Sequence, residues 1–262
     1  MTYTHGHHES VLRSHRWRTV ENSAAYVAPK FVEGVQVLDV GCGPGTITLD
    51  IARRVAPGRV VGIDASATVI EQATQDAAGA DNVQFATGDV YALEFPDASF
   101  DVVHAHQVLQ HLPDPVGALR EMRRVCKPDG VVAARDSDYA AFTWSPAAPT
   151  LDAWLALYRT IARTNSGEPD AGRYLLAWAH AAGFAAIEPT ASAWCFATPE
   201  DRTWWGNLWA DRMTTSAIAE QAEREQFATR TELEAMAAAW RRWAADPDAW
   251  FAVLHGEIIC TP

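Results

Sequence analysis

The sequence predicts an α/β fold in which a mostly parallel β-sheet is covered by helices on both faces. Three observations support this prediction. Short valine-rich runs alternate with helically spaced stretches over the first half of the chain. A glycine-rich turn joins the first such run to the first helical stretch, and two late β-rich runs flank a helical block. Strands that alternate with helices pair in parallel, because each helix carries the chain back across the sheet.

The first half of the chain contains five predicted strands, each bounded by Gly, Asp or Pro. They are Val35–Val40, Arg59–Asp64, Val83–Thr87, Phe100–His104 and Val131–Arg135. Apolar residues spaced three and four apart predict the helices between them, at Ile47–Val55, Thr68–Ala77 and Val116–Cys126. Later helices are predicted at 148–163, 170–182 and 199–245, and later strands at Phe184–Phe196 and Trp250–Cys260.

The composition of the chain changes near residue 140, and ten of its eleven tryptophans lie beyond that point. The length of 262 residues suits one sizeable domain with an added cap. We expect a division into three parts from the sequence pattern alone. These are an N-terminal helical lid segment at 1–34, a core formed by 35–198 and 247–262, and a helical cap at 199–246 inserted before the last strand.

Charge and composition exclude several classes of protein. The net charge is -12 and no basic stripe is visible, which argues against nucleic acid or an anionic membrane as a partner. The four cysteines, Cys42, Cys126, Cys195 and Cys260, form no C-x-x-C pair, so no structural zinc site is predicted. The HGHH run near the N-terminus lacks matching acids for a metal site. Without an apolar export signal or membrane span, we expect a cytoplasmic protein with no stable membrane association.

The stretch VQVLDVGCGPG runs from a strand directly into a helix. The N-terminus of a helix offers unpaired N–H groups and a positive dipole end. Glycine lets a ligand approach the backbone where a Cβ would collide. Gly41, Gly43 and Gly45 therefore predict a ligand cradle. The alternative is an ordinary tight turn between strand and helix, which needs only one glycine.

The ends of the next two strands narrow the choice of ligand. A carboxylate at the end of a second strand, here Asp64, can accept both hydroxyls of a ribose, in dinucleotides and adenosyl ligands alike. The dinucleotide fingerprint G-x-G-x-x-G would place its last glycine where Thr46 stands. Asp89 ends the third strand and could accept from an adenine amine, or it could cap a helix or a turn. The fourth strand carries His106, Gln107 and His111 toward the same edge, where open α/β sheets bind their ligands.

Four stretches together resemble the class I S-adenosylmethionine-dependent methyltransferases. They are VLDVGCGPG, VVGID, GDVYALEFPDASFDVVHAHQVLQHLPDP and LREMRRVCKPDGVV, which span residues 35 to 140. Within that superfamily the chain is most similar to the group that includes the ubiquinone and menaquinone C-methyltransferases and many small-molecule methyltransferases. The resemblance implies a Rossmann-like, seven-stranded, mostly parallel sheet with an antiparallel last strand. It also implies S-adenosyl-L-methionine as cofactor and S-adenosyl-L-homocysteine as product.

The resemblance further implies which residues bind the cofactor. It assigns the methionine portion to the Gly41–Gly45 turn, the ribose to Asp64 and the adenine amine to Asp89. The full set is Gly41, Cys42, Gly43, Gly45, Asp64, Ala65, Gly88, Asp89, Val90, His106 and Gln107. The N-terminal segment of this family folds over the cofactor, so Tyr3, Arg18 and Asn22 are further candidates, although no shared motif assigns them.

A sulfonium already activates its methyl group, so transfer needs alignment of donor and acceptor rather than a protein nucleophile. A hydroxyl acceptor benefits from a general base, and histidine suits that task near neutral pH. We favour His111 for this role. The other candidates are His106, His5, His7, His8 and His15. The alternative for each is a capping or packed imidazole.

The tryptophan-rich region has two interpretations of equal weight. Trp205 and Trp209 lie four residues apart, and Trp240 and Trp243 lie three apart, so each pair shares one face of a helix. These residues form either an aromatic wall around a flat, hydrophobic acceptor or the buried face of the cap helices. Exposed cap aromatics also leave a homodimer open.

The sequence therefore predicts an enzyme that transfers a methyl group from S-adenosylmethionine to a small, aromatic or hydrophobic organic acceptor. O-methylation is slightly favoured over C- or N-methylation. One alternative is a protein that binds the cofactor without methyl transfer, such as a cyclase-like or sensing homologue. A second is a nicotinamide-dependent oxidoreductase, against which Thr46 and the Gly88-Asp89 strand end both count.

Overall fold

The computed structural model describes residues 17–262, so the predictions made for Tyr3, His5, His7, His8 and His15 lie outside the described residues. The described chain forms two compact units. The first, which we call the sheet unit, comprises residues 17–137, 171–192 and 255–262. The second, the aromatic unit, comprises 138–170 and 193–254.

Strands and helices are numbered in chain order within the described residues. The strands are β1 (Val37–Val40), β2 (Val60–Asp64), β3 (Val83–Thr87), β4 (Phe100–His106), β5 (Cys126–Ser137), β6 (Thr143–Ser145), β7 (Ala186–Phe196) and β8 (Trp250–Thr261). The helices are α1 (Val20–Ser23), α2 (Thr46–Val55), α3 (Ala67–Asp76), α4 (Pro115–Val125), α5 (Pro149–Thr164), α6 (Leu175–Ala182), α7 (Pro199–Thr215), α8 (Ala217–Arg224) and α9 (Arg230–Ala245). Short 3₁₀ helices lie at Ala28–Lys30, Leu109–His111, Tyr139–Ala141 and Ala171–Tyr174.

The sheet unit contains the strand order β3-β2-β1-β4-β5-β8. Strands β1 to β5 pair in parallel, whereas β8 runs antiparallel to β5 and also pairs with β7. His106 at the end of β4 lies opposite Arg135 in β5. The order reverses between β1 and β4, and this reversal is the position at which α/β sheets bind ligands at the carboxyl ends of their strands. The predicted α/β fold is confirmed.

The helices of the sheet unit follow from short-range signals in the sequence. Helix α2 buries Ile47, Ile51 and Val55, whose spacing places them on one face. Helix α4 begins after Asp114, whose Oδ1 accepts a hydrogen bond from the N–H of Gly117 at 2.8 Å. Apolar side chains pack on both faces of the sheet, in two separate clusters, as expected for a parallel sheet.

The aromatic unit differs from the sequence prediction in its details. An eighth strand, β6, has only three residues and pairs with Trp250–Ala252 of β8. The helical block predicted at 199–245 consists of three helices, since Ser216 has extended backbone and Thr229 starts α9 with a capping box to Glu232. The proposed cap at 199–246 falls within this unit, which also contains residues 138–170. The boundaries of the lid, core and cap stay a prediction.

Candidate functional site

The glycine-rich turn after β1 has left-handed backbone at three positions. The φ angles of Gly41, Gly43 and Gly45 are 65°, 55° and 79°. A Cβ at Gly41 would lie 2.4 Å from a methyl carbon of Val108, and a Cβ at Gly45 would lie 2.5 Å from the ring of Phe85. Both glycines are therefore required by the packing of the turn itself, in addition to any ligand.

Asp64 ties the end of β2 to this turn. Its Oδ2 accepts a hydrogen bond from the N–H of Gly43 at 3.1 Å, and its Oδ1 accepts from the N–H of Ser66 at 3.0 Å. The backbone N–H of Cys42 donates to the carbonyl of Ile63 at 2.9 Å, which continues the contact between the two strand ends. The glycine turn and Asp64 are thus in direct contact. Ala65, which follows, is exposed.

Asp89 lies at the next strand end and forms a turn of its own. Its Oδ1 accepts from the N–H of Tyr91 at 3.0 Å, and its carbonyl accepts from Ala92. This is an Asx-type turn, so the alternative role as a turn acid is realised in the geometry. The side chain is exposed, and Gly88 stays paired to the backbone of Asp64 at 3.0 Å. Val90 is half-buried beside it.

Gln107 follows the last residue of β4 in a strained conformation. Its φ angle is 55°, which is uncommon for a residue with a side chain and is often found at functional sites. Its side-chain amide donates to Oγ of Ser137 at 2.7 Å and to Nε2 of His255 at 2.9 Å. Its amide oxygen accepts from the guanidinium of Arg18, which brings the segment before β1 to this edge.

His106 is buried at the end of β4, and its ring stacks at 6.1 Å on the ring of His255. Burial, together with the nearby guanidinium groups of Arg18 and Arg135, lowers the pKa of His106 well below its ordinary value. Arg135 itself pairs with Glu257 at 3.0 Å. His106 is therefore a neutral imidazole at physiological pH.

His111 has a geometry that disfavours the role of general base. Its Nε2 accepts a hydrogen bond from the side-chain amide of Gln110 at 3.1 Å, so the lone pair at that nitrogen is engaged. Burial, followed by the charge of Arg18, lowers the pKa of His111 to about 3. A group of such low basicity is a poor proton acceptor at neutral pH. The assignment of His111 stays a prediction that the geometry does not favour.

Asp136, near the end of β5, is the most unusual acid of this edge. Its side chain is fully buried, and its Oδ1 accepts from the backbone N–H of Gln110 at 3.1 Å. Its Oδ2 is buried and has no hydrogen-bond partner in the part of the chain that the structure describes. Loss of hydration raises the pKa of Asp136 to about 7, although backbone donors at Gln110 and Leu109 oppose that rise.

Sequence reasoning did not identify Asp136, Ser137, Gln110 or His255. For Asp136 the signal was present, because an acid at the carboxyl end of a strand is the same feature that identified Asp64 and Asp89. It was missed because the predicted strand ends at Arg135, whereas β5 extends to Ser137. His255 belongs to an antiparallel strand, and its return to this edge follows from sheet order alone.

The tryptophans of the aromatic unit pack against one another. Trp154, Trp209 and Trp240 are fully buried, and the ring of Trp154 meets the other two edge-on at 4.5 and 4.8 Å. The indole N–H groups of Trp154 and Trp240 lack conventional acceptors; edge-on neighbours let such a group point at an aromatic face. The structure thus favours the buried-core interpretation of these residues.

Two further findings concern metals and membranes. Within residues 17–262, no group of three or more His, Cys, Asp or Glu side chains could hold a metal ion. No helix in that described part of the chain is long and apolar enough to cross a bilayer.

Comparison with known proteins places this geometry in a family. Residues 31–205 match a family model described as a methyltransferase domain. The chain belongs to this methyltransferase family. The resemblance to the class I S-adenosylmethionine-dependent methyltransferases is thereby confirmed.

Individual relatives of this methyltransferase agree with the family. It is 35% identical to an uncharacterized methyltransferase of Schizosaccharomyces pombe, over 98% of this chain and 95% of that protein. It is 38% identical to a demethylmenaquinone methyltransferase of Staphylococcus aureus, over 48% of this chain and 50% of that protein. Among solved structures, a [4+2]-cyclase named SpnF shares the fold with a TM-score of 0.53 and 23% identity, over 92% of this chain and 84% of that one.

Proposed function

We propose that this methyltransferase moves a methyl group from S-adenosylmethionine to a hydroxyl group of a small organic acceptor in the cytoplasm. The proposal includes no nucleic acid or membrane partner, in keeping with the net charge of -12. Family membership supports the reaction type, and the residues at the strand ends support the choice of donor and acceptor.

The observation that carries the proposal is the contact between Asp64 and the glycine turn. The N–H of Gly43 and the N–H of Ser66 each occupy one carboxylate oxygen of Asp64, at 3.1 and 3.0 Å. A carboxylate oxygen has two lone pairs, so each oxygen keeps one for a ribose hydroxyl. The half-buried carboxylate is thus held in place and still has acceptor capacity, which fits an adenosyl group at this position.

Asp89 supports the same ligand more modestly. Only one of its oxygens is used by the turn to Tyr91, so the other remains for an amine of the adenine ring. The positive end of helix α2 follows Gly45 directly, and it favours the carboxylate of a methionine portion rather than the sulfonium. The residues present therefore fit the cofactor that the family implies.

When bound, the cofactor supplies an activated methyl group on a positively charged sulfur. The chain contributes binding, orientation and exclusion of water, which together lower the barrier to transfer. Neutral groups suit the surroundings of a cation, because a charged imidazole there would repel it. The lowered pKa values of His106 and His111 keep both rings neutral.

The carboxyl ends of β4 and β5 support an acceptor that carries a hydroxyl group. Gln107, Gln110 and Ser137 provide amide and hydroxyl groups there, and the side-chain amide of Gln107 contacts Nε2 of His255. The tryptophans that suggested an aromatic wall are used in the core of the aromatic unit. We therefore place O-methylation ahead of C- or N-methylation.

A second function is binding of the cofactor without transfer, for which the shared fold with a cyclase is the motivating observation. Methyl transfer requires no diagnostic protein nucleophile, so the two functions share one set of binding residues. They differ in product: only transfer converts the cofactor to S-adenosylhomocysteine.

The test is incubation of the full chain with S-adenosylmethionine and single phenolic acceptors, starting with catechol and 4-nitrocatechol. We expect S-adenosylhomocysteine and a methylated phenol in equal amounts by mass spectrometry. Calorimetry should show binding of S-adenosylmethionine but not of NADH. Binding without product from any hydroxylated acceptor would favour the second function, and failure to bind the cofactor would reject both.

A further inference from the structure

We infer that Asp136 takes the proton from the acceptor hydroxyl during methyl transfer, an inference that rests on the proposed function. Asp136 is a fully buried carboxyl group whose Oδ2 has no hydrogen-bond partner within residues 17–262. Buried carboxylates are normally paired or fully hydrogen-bonded, because an unsatisfied buried oxygen is destabilising. Such a group at the carboxyl end of a strand indicates that a bound ligand supplies the missing hydrogen-bond partner.

The position of Asp136 agrees with a division of the strand ends into a donor side and an acceptor side. The glycine turn, Asp64 and Asp89 follow β1, β2 and β3, on one side of the point where the strand order reverses. Asp136 is the penultimate residue of β5, the strand next to β4, on the other side, one residue beyond the register partner of His106. If the donor occupies the first side, the acceptor binds on the second, which is the side of Asp136.

The surroundings fix the carboxyl group in one orientation. Oδ1 accepts from the backbone N–H of Gln110 at 3.1 Å. The side-chain oxygen of Gln110 in turn accepts from the N–H of Ser137 at 3.2 Å. This reciprocal contact joins the 3₁₀ helix after β4 to the end of β5, so Oδ2 is the oxygen left without a hydrogen-bond partner among residues 17–262. Preorganisation of this kind is what a proton acceptor needs.

Several charged or titratable groups lie on the elements that contact Asp136. They are Arg135 on its own strand, Arg18 from the segment before β1, Tyr26 on the segment after α1, His106 at the end of β4, His111 on the 3₁₀ helix after β4, and His255 and Glu257 on β8. Arg135 and Arg18 favour the ionised carboxylate, whereas burial opposes it. The pKa of about 7 that results is near the operating pH, as suits a general base.

The chemical step balances without another reactant. The O–H bond of the acceptor breaks and its proton moves to Oδ2 of Asp136. The electron pair left on the acceptor oxygen forms the bond to the methyl carbon. The electron pair of the broken carbon–sulfur bond stays on sulfur. Asp136 later returns the proton to water.

The experiment compares Asp136→Asn with wild type and with Asp129→Asn, an exposed residue at the opposite end of β5. Asparagine keeps an oxygen for the N–H of Gln110 but cannot take a proton. We expect kcat for catechol to fall about 100-fold or more in Asp136→Asn. We also expect kcat of wild type to fall at acid pH and that fall to be absent from the variant. Asp129→Asn should match wild type.

A comparison within one variant guards against incomplete folding. Catechol needs a base more than 4-nitrocatechol does, because the nitro group makes the hydroxyl more acidic. The catechol to 4-nitrocatechol rate ratio should therefore drop at least tenfold in Asp136→Asn relative to wild type, whatever fraction of the protein is folded. An unchanged ratio and an unchanged pH profile would overturn the inference while leaving the proposed function intact.

A readout independent of activity completes the test. NMR of protein labelled with ¹³C at the aspartate carboxyl groups should show one carboxyl that titrates near neutral pH and is absent from Asp136→Asn. Titration of every aspartate below pH 5 would contradict the inference. Absence of product from wild type with both phenols would instead count against the proposed function.

Discussion

The sheet unit and the aromatic unit bury different kinds of side chain. At the carboxyl ends of β4 and β5 the buried side chains are polar, and Oδ2 of Asp136 has no hydrogen-bond partner among the described residues. In the aromatic unit the largest buried side chains are tryptophans, which contact each other and Phe251 at 4.5 to 6.3 Å between ring centroids. The comparison teaches that bulky, rare residues form a core here, whereas a buried carboxyl group with an unsatisfied oxygen points to chemistry.

The largest effect that would separate the two regions is on stability. Trp154→Ala should lower the free energy of unfolding by about 3–5 kcal/mol, since a large buried ring is removed. Urea unfolding measures this, with Trp250→Ala as control because that ring is 39% exposed. The affinity for S-adenosylhomocysteine should stay unchanged. A Trp154→Ala protein that is stable but cannot bind the cofactor would place the tryptophan core in the site.

The next effect concerns stability as a function of pH. The pKa of Asp136 is about 7 in the folded protein and about 3.9 when unfolded. Between these values the folded state holds the extra proton, so the contribution of Asp136 is lost as pH rises, by up to about 4 kcal/mol. Asp136→Asn should therefore exceed wild type in stability at pH 8 and lose that advantage near pH 4.

The titration of His106 and His111 does not affect this comparison of Asp136→Asn with wild type. Lowered pKa values for His106 and His111 mean that the unfolded state binds more protons, so their contributions rise with pH. Both variants contain these residues, and the difference between the two unfolding curves removes their effect. A difference that does not vary with pH would show that the pKa of Asp136 is the same in the folded and unfolded states.

A smaller effect is expected at the donor side of the sheet unit. Asp64→Ala should weaken S-adenosylmethionine binding by about 1.5–3 kcal/mol, because charge-assisted hydrogen bonds to the ribose are lost. Calorimetry measures the change, and Asp81→Ala, an exposed loop residue, is the control. Unchanged affinity in Asp64→Ala would reject the assignment of the ribose to this carboxylate.

The smallest effect is expected at Asp89. The side chain is exposed, and one oxygen is already engaged by the N–H of Tyr91. Asp89→Asn keeps an acceptor for that contact, so affinity for the cofactor should fall by less than about 1 kcal/mol. A loss as large as that of Asp64→Ala, measured in the same calorimeter, would make Asp89 an equal partner in binding.

Local signals in the sequence predict most of the sheet but not its ends. Valine-rich runs locate β1 to β4, because strands buried on both faces are apolar throughout. The end of β5 was missed since Arg135, Asp136 and Ser137 are polar and resemble a loop. Their burial depends on long-range partners such as Glu257, which pairs with Arg135 and lies far along the chain. Polar strand ends at a site are thus hard to recognise locally.

The helical block shows the opposite limit. Ala-rich sequence supports helix anywhere between 199 and 245, so propensity alone does not locate the breaks. The start of α9 can be predicted from the sequence, because Thr229 and Glu232 have the spacing of a capping box. The strand β6 cannot be predicted in this way, since three residues carry no periodic pattern. At the site, motif and strand-end rules found Asp64 and the glycine turn, whereas His255 required the antiparallel pairing of β8.

The ring of Phe85 has a consequence that extends beyond its own strand. It fills the space next to both Gly45 and Gly62, where a Cβ would lie 2.5 and 2.8 Å from ring atoms. The shape of the GCGPG bend is consequently set in part by a residue two strands away, outside the motif. Two homologous chains with identical glycine motifs but different residues at this position need not present the same surface to a nucleoside. Substitution of Phe85 is therefore a way to change the preference for the donor without changing the motif.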